Sequence, residues 1–215
     1  MIDPLEHRKH AARLANRARE SSEPTRWFEE LYAYAQGQSE RVPWADLAPH
    51  PLLSEWAAGR SMQWENAAIV GCGLGDDAEL ISTIAKQVWA FDISSTAIDW
   101  AKERFPNSTV SYEVADLSKV DASKFGQFDL VVEVYTWQAS PPEIRQEFIE
   151  NTAKLVEPGG TLVAITRLRT PDDELGPVPW PLLVDELETL SKCGLTETER
   201  TAWSPGEPVR SIWKR

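Results

Sequence analysis

AAIVGCGLGDDAE, residues 67–79, is the stretch that decides the fold of this chain. Its apolar start ends in a turn with glycine at positions 71, 73 and 75, and a helix is predicted to open on Asp76 and Asp77. Where a parallel strand ends in such a turn, the missing side chains let the backbone approach a ligand closely. The stretch therefore predicts the first strand, the ligand-binding turn and the first helix of an α/β domain.

The turn differs from the dinucleotide-binding pattern G-x-G-x-x-G. The last glycine of that pattern would stand at position 76, where this chain has Asp76. A carboxylate at a helix N-terminus repels a pyrophosphate that needs the free N–H groups there, whereas it attracts a cation. We therefore expect a positively charged nucleoside cofactor, S-adenosylmethionine, and we disfavour an NAD(P)-dependent oxidoreductase.

The composition suits one α/β domain with a short appendage, because 42% of the 215 residues are hydrophobic. The formal charge of −12 and the isoelectric point near 4.8 argue against a nucleic acid or an anionic membrane as partner, which leaves a small-molecule acceptor. Two cysteines are too few for a disulfide framework or a zinc site, so we expect no metal. No signal peptide is recognisable, and no apolar run approaches the roughly 18 residues needed to span a bilayer, so we expect a cytoplasmic protein.

From residue 67 onward, predicted strands and helices alternate, which is typical of a doubly wound, Rossmann-like, mostly parallel sheet. The predicted strands are 67–70, 88–91, 109–114, 128–135, 161–166, 196–202 and 208–213, the last two as a hairpin-like pair. The predicted helices are 76–86, a helix capped by Ser94, a helix from a capping box at Ser140 to Leu155, and 181–192. We divide the chain into an N-terminal helical segment, residues 1–66, and an α/β domain, residues 67–215.

The N-terminal segment contains two predicted helices before a proline-rich loop. Residues 5–20 are charged and rich in alanine, so we expect this helix to be exposed. The second helix has an apolar face at i, i+4 spacing and ends at Gly37; the face consists of Trp27, Phe28, Leu31, Tyr32 and Ala35.

In an open parallel sheet the ligand lies beyond the carboxyl ends of the strands, where the strand order reverses. The glycine turn is predicted to offer backbone to the methionine part of the cofactor through Gly71, Cys72, Gly73 and Gly75. Asp92, 21 residues after Gly71, is placed to accept hydrogen bonds from both ribose hydroxyls, although helix capping alone would also explain it. The adenine is predicted to contact Ile93, Asp116 and Leu117, with Asp116 accepting from its amino group.

Residues 67–215 resemble a class I S-adenosylmethionine-dependent methyltransferase. The matching segments are VGCGLGDD, VWAFDIS, VADL, FDLVVEVYTW and LVEPGGTLVAITR. The resemblance implies a seven-stranded sheet whose last strand is antiparallel. The acidic residue often found two positions before the first glycine is replaced by Ile69, so Asp76, Asp77 or Glu133 is expected to hold the methionine amine.

WFEELYAYAQGQSERVPWADLAPHPLL, residues 27–53, resembles the lid of the thiopurine, thiol and tellurite methyltransferase branch. The resemblance implies that Trp27, Tyr32 and Trp44 cover the sulfonium and shape the acceptor pocket. The alternative is that these aromatic residues pack the helix on the sheet.

Further candidates follow the fourth and fifth strands. Tyr135 and Glu133 are the candidate catalytic groups, since either could act on the acceptor, and Trp137 could stack on it. Arg167 and Arg169 face either the same crevice or solvent. His7, His10 and His50 lack the spacing of a metal site and receive no role.

The sequence shows no His, Lys or metal cluster committed as a base near the fourth strand. A thiol with a pKa of about 8.5 is partly ionised at neutral pH and strongly nucleophilic, whereas an alcohol usually needs a base. We therefore expect S-methylation of a small thiol or dithiol by a monomer or homodimer. The alternatives are an O- or N-methyltransferase of a small metabolite and a cofactor-binding protein without turnover.

Overall fold

A computed structural model describes residues 4–120, 127–202 and 204–215. The helices are α1 Pro4–Arg19, α2 Arg26–Ala35, α3 Pro51–Ala57, α4 Asp76–Ile81, α5 Ser95–Arg104, α6 Thr136–Ala139, α7 Pro142–Lys154 and α8 Glu188–Lys192. The strands are β1 Trp64–Val70, β2 Ala85–Asp92, β3 Ser111–Val114, β4 Phe128–Val134, β5 Val156–Arg169, β6 Leu182–Leu183, β7 Thr196–Arg200 and β8 Pro208–Lys214. Within the described ranges, no helix is long and apolar enough to cross a bilayer.

The described strands form one sheet in the order β3-β2-β1-β4-β5-β8-β7, and the short β6 pairs with β5 beside this path. Strands β1 to β5 pair with one another in parallel, and β8 runs antiparallel between β5 and β7. The predicted mostly parallel sheet with an antiparallel last strand is confirmed, and β6 is an eighth described strand that was not predicted. The order reverses between β1 and β4, so a crevice opens where these strands end at Val70 and Val134.

Alternating residues of the central strands pack against helices on both faces of the sheet. On one face, Ala67 and Ile69 pack in a cluster with Ile81 and Ile98 from α4 and α5. On the other face, Ala68 and Val70 belong to a cluster with Phe148 of α7 and Leu190 of α8. Since both faces are covered, the apolar runs of β1 and β4 are core residues, as parallel strands require.

Helix α1 is not exposed on all sides as predicted. Its small residues Ala11, Ala15 and Ala18 are buried against Trp27 and Leu31 of α2. Alanines at this spacing let two helices approach closely. The contact with α2 therefore buries one face of α1, although the many charged residues of this helix predicted exposure.

The predicted helix 76–86 is wrong in length, because α4 ends at Ile81 and β2 begins at Ala85. The hydroxyls of Ser82 and Thr83 donate to the carbonyls of Glu79 and Leu80 at 2.7 Å, and such local bonds compete with helix propagation.

Two later predictions also need correction. Ser140 does not cap α7, because its hydroxyl donates back to the carbonyl of Thr136 in α6, and α7 begins at Pro142. Residues 181–192 are not one helix: β6 pairs with β5 first, and α8 forms only from Glu188 to Lys192. Sheet pairing of Leu182 and Leu183 overrides their helical pattern.

Candidate active site

A cavity of about 810 Å³ lies at the crevice between the ends of β1 and β4. This volume is within the range of about 300–1,000 Å³ typical of small-molecule sites. The sheet contributes the glycine turn and the ends of β2, β4 and β5, while α1, α2 and the loop before α3 cover the opening. The predicted site residues on its wall are Tyr32, Trp44, Gly71, Cys72, Gly73, Asp76, Asp77, Asp92, Ile93, Asp116, Leu117 and Tyr135.

The glycine turn holds backbone conformations that side chains disfavour. Gly71, Gly73 and Gly75 have φ angles of 61°, 52° and 92°. A Cβ on Gly71 would lie 2.3 Å from the Thr136 hydroxyl, and one on Gly73 would lie 3.0 Å from the Tyr32 hydroxyl. A Cβ on Gly75 would instead meet Tyr112 at 2.5 Å, so this glycine permits packing of the turn and does not border the cavity.

Asp92 joins the end of β2 to the glycine turn. Its Oδ2 accepts the Gly73 N–H at 3.0 Å and its Oδ1 accepts the Ser94 N–H at 2.9 Å. The residue is buried, with 8% of its surface exposed. Burial raises the pKa of this carboxyl group, which the backbone N–H groups partly offset. The carboxylate is therefore fixed in orientation while it borders the cavity.

The acidic pair at the start of α4 is divided between two roles. Asp76 borders the cavity and forms a bidentate ion pair with Arg104 at 2.6 and 2.7 Å, which offsets its charge. Asp77 accepts the His50 N–H at 2.8 Å, and burial raises its pKa to about 6. Among the described residues, Asp77 is thus the acid of this pair without a basic partner.

Tyr135 and His50 form a contact that the sequence did not predict. Nε2 of His50 lies 3.0 Å from the Tyr135 hydroxyl, and Nδ1 accepts the Leu52 N–H at 3.2 Å. Because Nδ1 is the acceptor and burial lowers the pKa of His50, the neutral ring carries its proton on Nε2 and donates to Tyr135. The only sequence signal was the Pro49-His50-Pro51 flank of a helix start.

Known proteins are similar to this chain in sequence and in fold. A family model described as a methyltransferase domain matches residues 68–160. The chain is 28% identical over 151 residues to the protein named probable thiol methyltransferase 2 of Arabidopsis thaliana, across 68% of this chain and 65% of that relative, which is less than two thirds of its length. It is 26% identical over 155 residues to a thiopurine S-methyltransferase of Vibrio campbellii, across 66% of this chain and 71% of that protein.

Residues 68–160 thus match the methyltransferase domain family, and the chain shares the fold of class I S-adenosylmethionine-dependent methyltransferases. The N-methyltransferase NodS from Bradyrhizobium japonicum, solved with S-adenosyl-L-homocysteine, superposes on this chain with a TM-score of 0.61. The superposition covers 95% of this chain and 97% of NodS at 21% identity, which establishes the common fold.

The residues at the cavity fit S-adenosylmethionine, the cofactor of class I methyltransferases. The turn at Gly71 and Gly73 leaves no room for side chains, and a buried, oriented carboxylate stands beside it at Asp92. Asp116 lies farther along the wall, where it accepts the Ser118 N–H at 2.9 Å and pairs with Lys119. In the described part of the chain, no group of three or more metal-ligating side chains occurs.

Two predicted site residues of β4 and α6 face the core of the protein. Glu133 is fully buried and its Oε1 accepts the Trp137 N–H at 3.0 Å, while Trp137 donates its indole N–H to Thr152 at 3.0 Å. Neither residue borders the cavity, so a catalytic or cofactor-binding role for Glu133 and a stacking role for Trp137 are corrected to structural roles. Successive side chains of β4 point to opposite faces of the sheet, and the sequence did not reveal which face bordered the ligand.

Burial raises the pKa of Glu133 from its ordinary 4.5 to about 8. The folded protein therefore keeps this proton up to about pH 8, whereas the unfolded chain releases it above about pH 4.5, so Glu133 lowers stability as the pH rises between these values. We expect urea unfolding at pH 5 to 8 to show a loss approaching about 1.4 kcal/mol per pH unit that Glu133→Gln removes. The exposed variant Glu65→Gln should keep the wild-type slope. An unchanged slope in Glu133→Gln would contradict this assignment.

The aromatic residues of the predicted lid divide in the same way. Trp27 is fully buried among α1, α2 and Trp44, so it packs the helices together and does not reach the cavity. Tyr32 and Trp44 do border it, and the Trp44 indole donates to the Tyr32 hydroxyl at 3.0 Å. Phe28, one position along α2, takes the place on the cavity wall expected for Trp27.

Both arginines predicted to follow the fifth strand lie at the end of β5, where Arg167 borders the cavity and Arg169 does not. Arg169 donates to the carbonyls of Thr170 and Asp173 at 3.4 and 3.3 Å. Its predicted acceptor contact is therefore wrong, because the turn after β5 draws its guanidinium away.

Glu29 attaches α2 to the start of α5. Its carboxylate accepts the Ser94 hydroxyl at 2.7 Å, the Thr96 hydroxyl at 2.5 Å and the Thr96 N–H at 3.2 Å. Ser94 also donates its N–H to Asp92, so the N-terminal helices are joined to the ribose side of the predicted cofactor site. These contacts cross more than 60 residues of sequence and left no local signal.

Proposed function

We propose that this methyltransferase transfers a methyl group to the sulfur of a small thiol or dithiol. The observation that carries the proposal is Tyr135, whose hydroxyl borders the cavity as a hydrogen-bond donor, beside aromatic walls from Phe28, Tyr32 and Trp44. The names of the plant and bacterial relatives, a thiol and a thiopurine methyltransferase, support the same nucleophile.

We assign the cofactor contacts to the residues that border the cavity. Asp92 would accept hydrogen bonds from the ribose hydroxyls. Each of its oxygens accepts one backbone N–H and has a second lone pair for a ribose hydroxyl. Asp77 would face the methionine amine, Gly71, Cys72 and Gly73 would give it backbone contacts, and Ile93, Asp116 and Leu117 would surround the adenine. When bound, S-adenosylmethionine supplies a methyl group activated by attachment to a sulfonium sulfur.

Tyr135 is suited to hold a thiolate. Its oxygen accepts from Nε2 of His50, so its own hydrogen is free to be donated toward an acceptor sulfur. Burial raises the pKa of Tyr135, which keeps this hydroxyl protonated at neutral pH, although the guanidinium of Arg167 opposes the rise. Tyr135 has a φ of 62°, and such strain in a non-glycine residue is found where a side chain must be aimed.

The transfer requires no base from the protein. The thiol loses its proton to solvent before the reaction, because a pKa of about 8.5 leaves a few per cent of thiolate at neutral pH. The sulfur then forms a bond to the methyl carbon as the bond from that carbon to the sulfonium sulfur breaks, and the bonding pair stays on the leaving sulfur. The cavity wall aligns the partners and excludes water, and alignment of this kind is worth about 7–11 kcal/mol.

We further propose that residues 1–66 act as a lid on the domain formed by residues 67–215. Tyr32 and Trp44 belong to this segment and border the cavity, and Glu29 anchors it beside Asp92. The segment would be in place before transfer and would shape the acceptor pocket through its aromatic side chains.

The second candidate is an O-methyltransferase, in which the opposite tautomer of His50, with Nε2 unprotonated, would take a proton from the acceptor hydroxyl through Tyr135. Turnover of a panel of thiols, phenols and amines with methyl-labelled cofactor separates the two. We expect transfer to thiols, with Tyr135→Phe lowering kcat by about tenfold for the loss of one hydrogen bond. Turnover only on phenols or amines, with a loss of about 100-fold or more in Tyr135→Phe, would establish the second candidate instead.

A further inference from the structure

The guanidinium of Arg167 borders the cavity without a protein anion to balance it. Its central carbon lies 5.7 Å from the centre of the Tyr135 ring, and a hydrogen bond from the guanidinium to this side chain opposes the rise of the Tyr135 pKa. The Nε of Arg167 is buried with no hydrogen-bond partner, as are those of Arg169, Arg210 and Arg215. In the described ranges, Arg167 forms no ion pair with a carboxylate. A buried donor on a charged group is costly unless something pairs with it.

The two buried arginines of the described ranges and the partly buried Arg104 are paired with carboxylates, whereas Arg169 and Arg215 donate to backbone carbonyls. Arg104 contacts Asp76, Arg145 contacts Glu186 and Arg210 contacts Glu199, each at 3.0 Å or less. Arg167 is the arginine on the wall beside Tyr135, so the partner that the others find within the protein would reach it from the cavity.

The charges on the cavity wall also favour an anion at this place. Asp77, Asp92 and Asp116 lie on the side assigned to the cationic cofactor, whereas Arg167 lies with Tyr135 and the neutral His50. The carboxylate of Asp46 also borders the cavity and acts on His50 and Tyr135 through its charge, but it does not pair with Arg167. The positive charge of Arg167 is therefore available to a ligand.

We propose that Arg167 binds a carboxylate on the methyl acceptor, so that the substrate class is a small thiol that also carries a carboxylate. This inference rests on the proposed function. The planar guanidinium can donate two parallel hydrogen bonds to a carboxylate, which fixes the orientation as well as the presence of the ligand. Because Arg167 and Tyr135 are in contact, the carboxylate and the sulfur of the acceptor would lie within a few bonds of each other.

The test compares acceptors that differ only in the carboxylate. Thiosalicylate is paired with thiophenol, and 3-mercaptopropanoate with 1-propanethiol, and kcat/KM is measured with the full-length wild-type protein. We expect the acid of each pair to be preferred by about 10- to 100-fold, the range of a charge-assisted pair. Arg167→Met should bring the ratio near one, Arg167→Lys should keep part of it, and Arg169→Met should keep the wild-type ratio.

Calorimetry provides a second readout that does not need turnover. The protein saturated with S-adenosylhomocysteine is titrated with 2-(methylthio)benzoate and with thioanisole, in wild type and in Arg167→Met. Tighter binding of 2-(methylthio)benzoate than of thioanisole, lost in Arg167→Met, supports the inference. If no thiol is methylated, this binding result still stands, and only the proposed S-methylation is overturned. Equal binding of both compounds by the wild type overturns the inference. An equal loss for thiophenol and thiosalicylate in Arg167→Met also overturns it, because Arg167 would then act on the sulfur itself.

Discussion

Gly71→Ala should cost the protein about 2–5 kcal/mol of unfolding free energy and most of its affinity for S-adenosylhomocysteine. The new Cβ would lie 2.3 Å from Oγ1 and 2.7 Å from Cγ2 of Thr136, and the backbone has a φ of 61°. Left-handed backbone costs a non-glycine residue about 1–2 kcal/mol, and forced overpacking costs about 1–3 kcal/mol. Thr136 cannot move freely, because its hydroxyl donates to the Val70 carbonyl at 2.9 Å. Thermal unfolding and calorimetric titration measure the two losses.

Gly159→Ala is the matched control for this prediction. Gly159 has a φ of 84°, but a Cβ there would meet no atom within 4 Å, so only the backbone cost of about 1–2 kcal/mol applies. The double variant Gly71→Ala/Thr136→Ala should recover part of the loss, since the clashing atoms are removed. Equal losses in Gly71→Ala and Gly159→Ala would show that Thr136 does not restrict the turn.

Asp92→Ala should weaken the binding of S-adenosylhomocysteine by about 2–4 kcal/mol in a folded protein, through loss of charged hydrogen bonds. The same change leaves the N–H groups of Gly73 and Ser94 without their acceptor, which loosens the turn as well. Because burial raises the pKa of Asp92, wild-type affinity should fall on acidification as this carboxylate takes up its proton. Titration calorimetry at several pH values measures both effects.

Asp129→Ala is the control for Asp92→Ala. Asp129 also accepts two backbone N–H groups, from Glu65 at 2.8 Å and Asn66 at 3.0 Å, but it lies near the start of β4, at the opposite end of the sheet from the cavity. Asp129→Ala should lower the midpoint of thermal unfolding and leave the affinity for the nucleoside unchanged. Wild-type affinity in a folded Asp92→Ala protein would remove Asp92 from the site.

The local sequence specified the elements well where hydrophobic pattern and turn chemistry agreed. Ser94 caps α5 as predicted, with its hydroxyl accepting the Ala97 N–H at 3.0 Å. The predictions went wrong where a longer-range contact outweighed the local pattern, as when β5 drew Leu182 and Leu183 into the sheet. Asp92, Asp116 and Tyr135 border the cavity because strand direction places the ends of β2, β3 and β4 at the crevice, whereas Glu133 and Arg169 also lie at strand ends and do not border it.

The sequence by itself determined the order of strands and helices, the glycine turn and the carboxylate that ends β2, since each depends on residues close together in the chain. Only the tertiary structure decided which side chains meet at the cavity. Arg104 neutralises Asp76, His50 donates to Tyr135, and Glu29 joins α2 to Ser94. Each of these contacts links residues far apart in sequence, and their geometry depends on how the helices pack on the sheet, which no local pattern encodes.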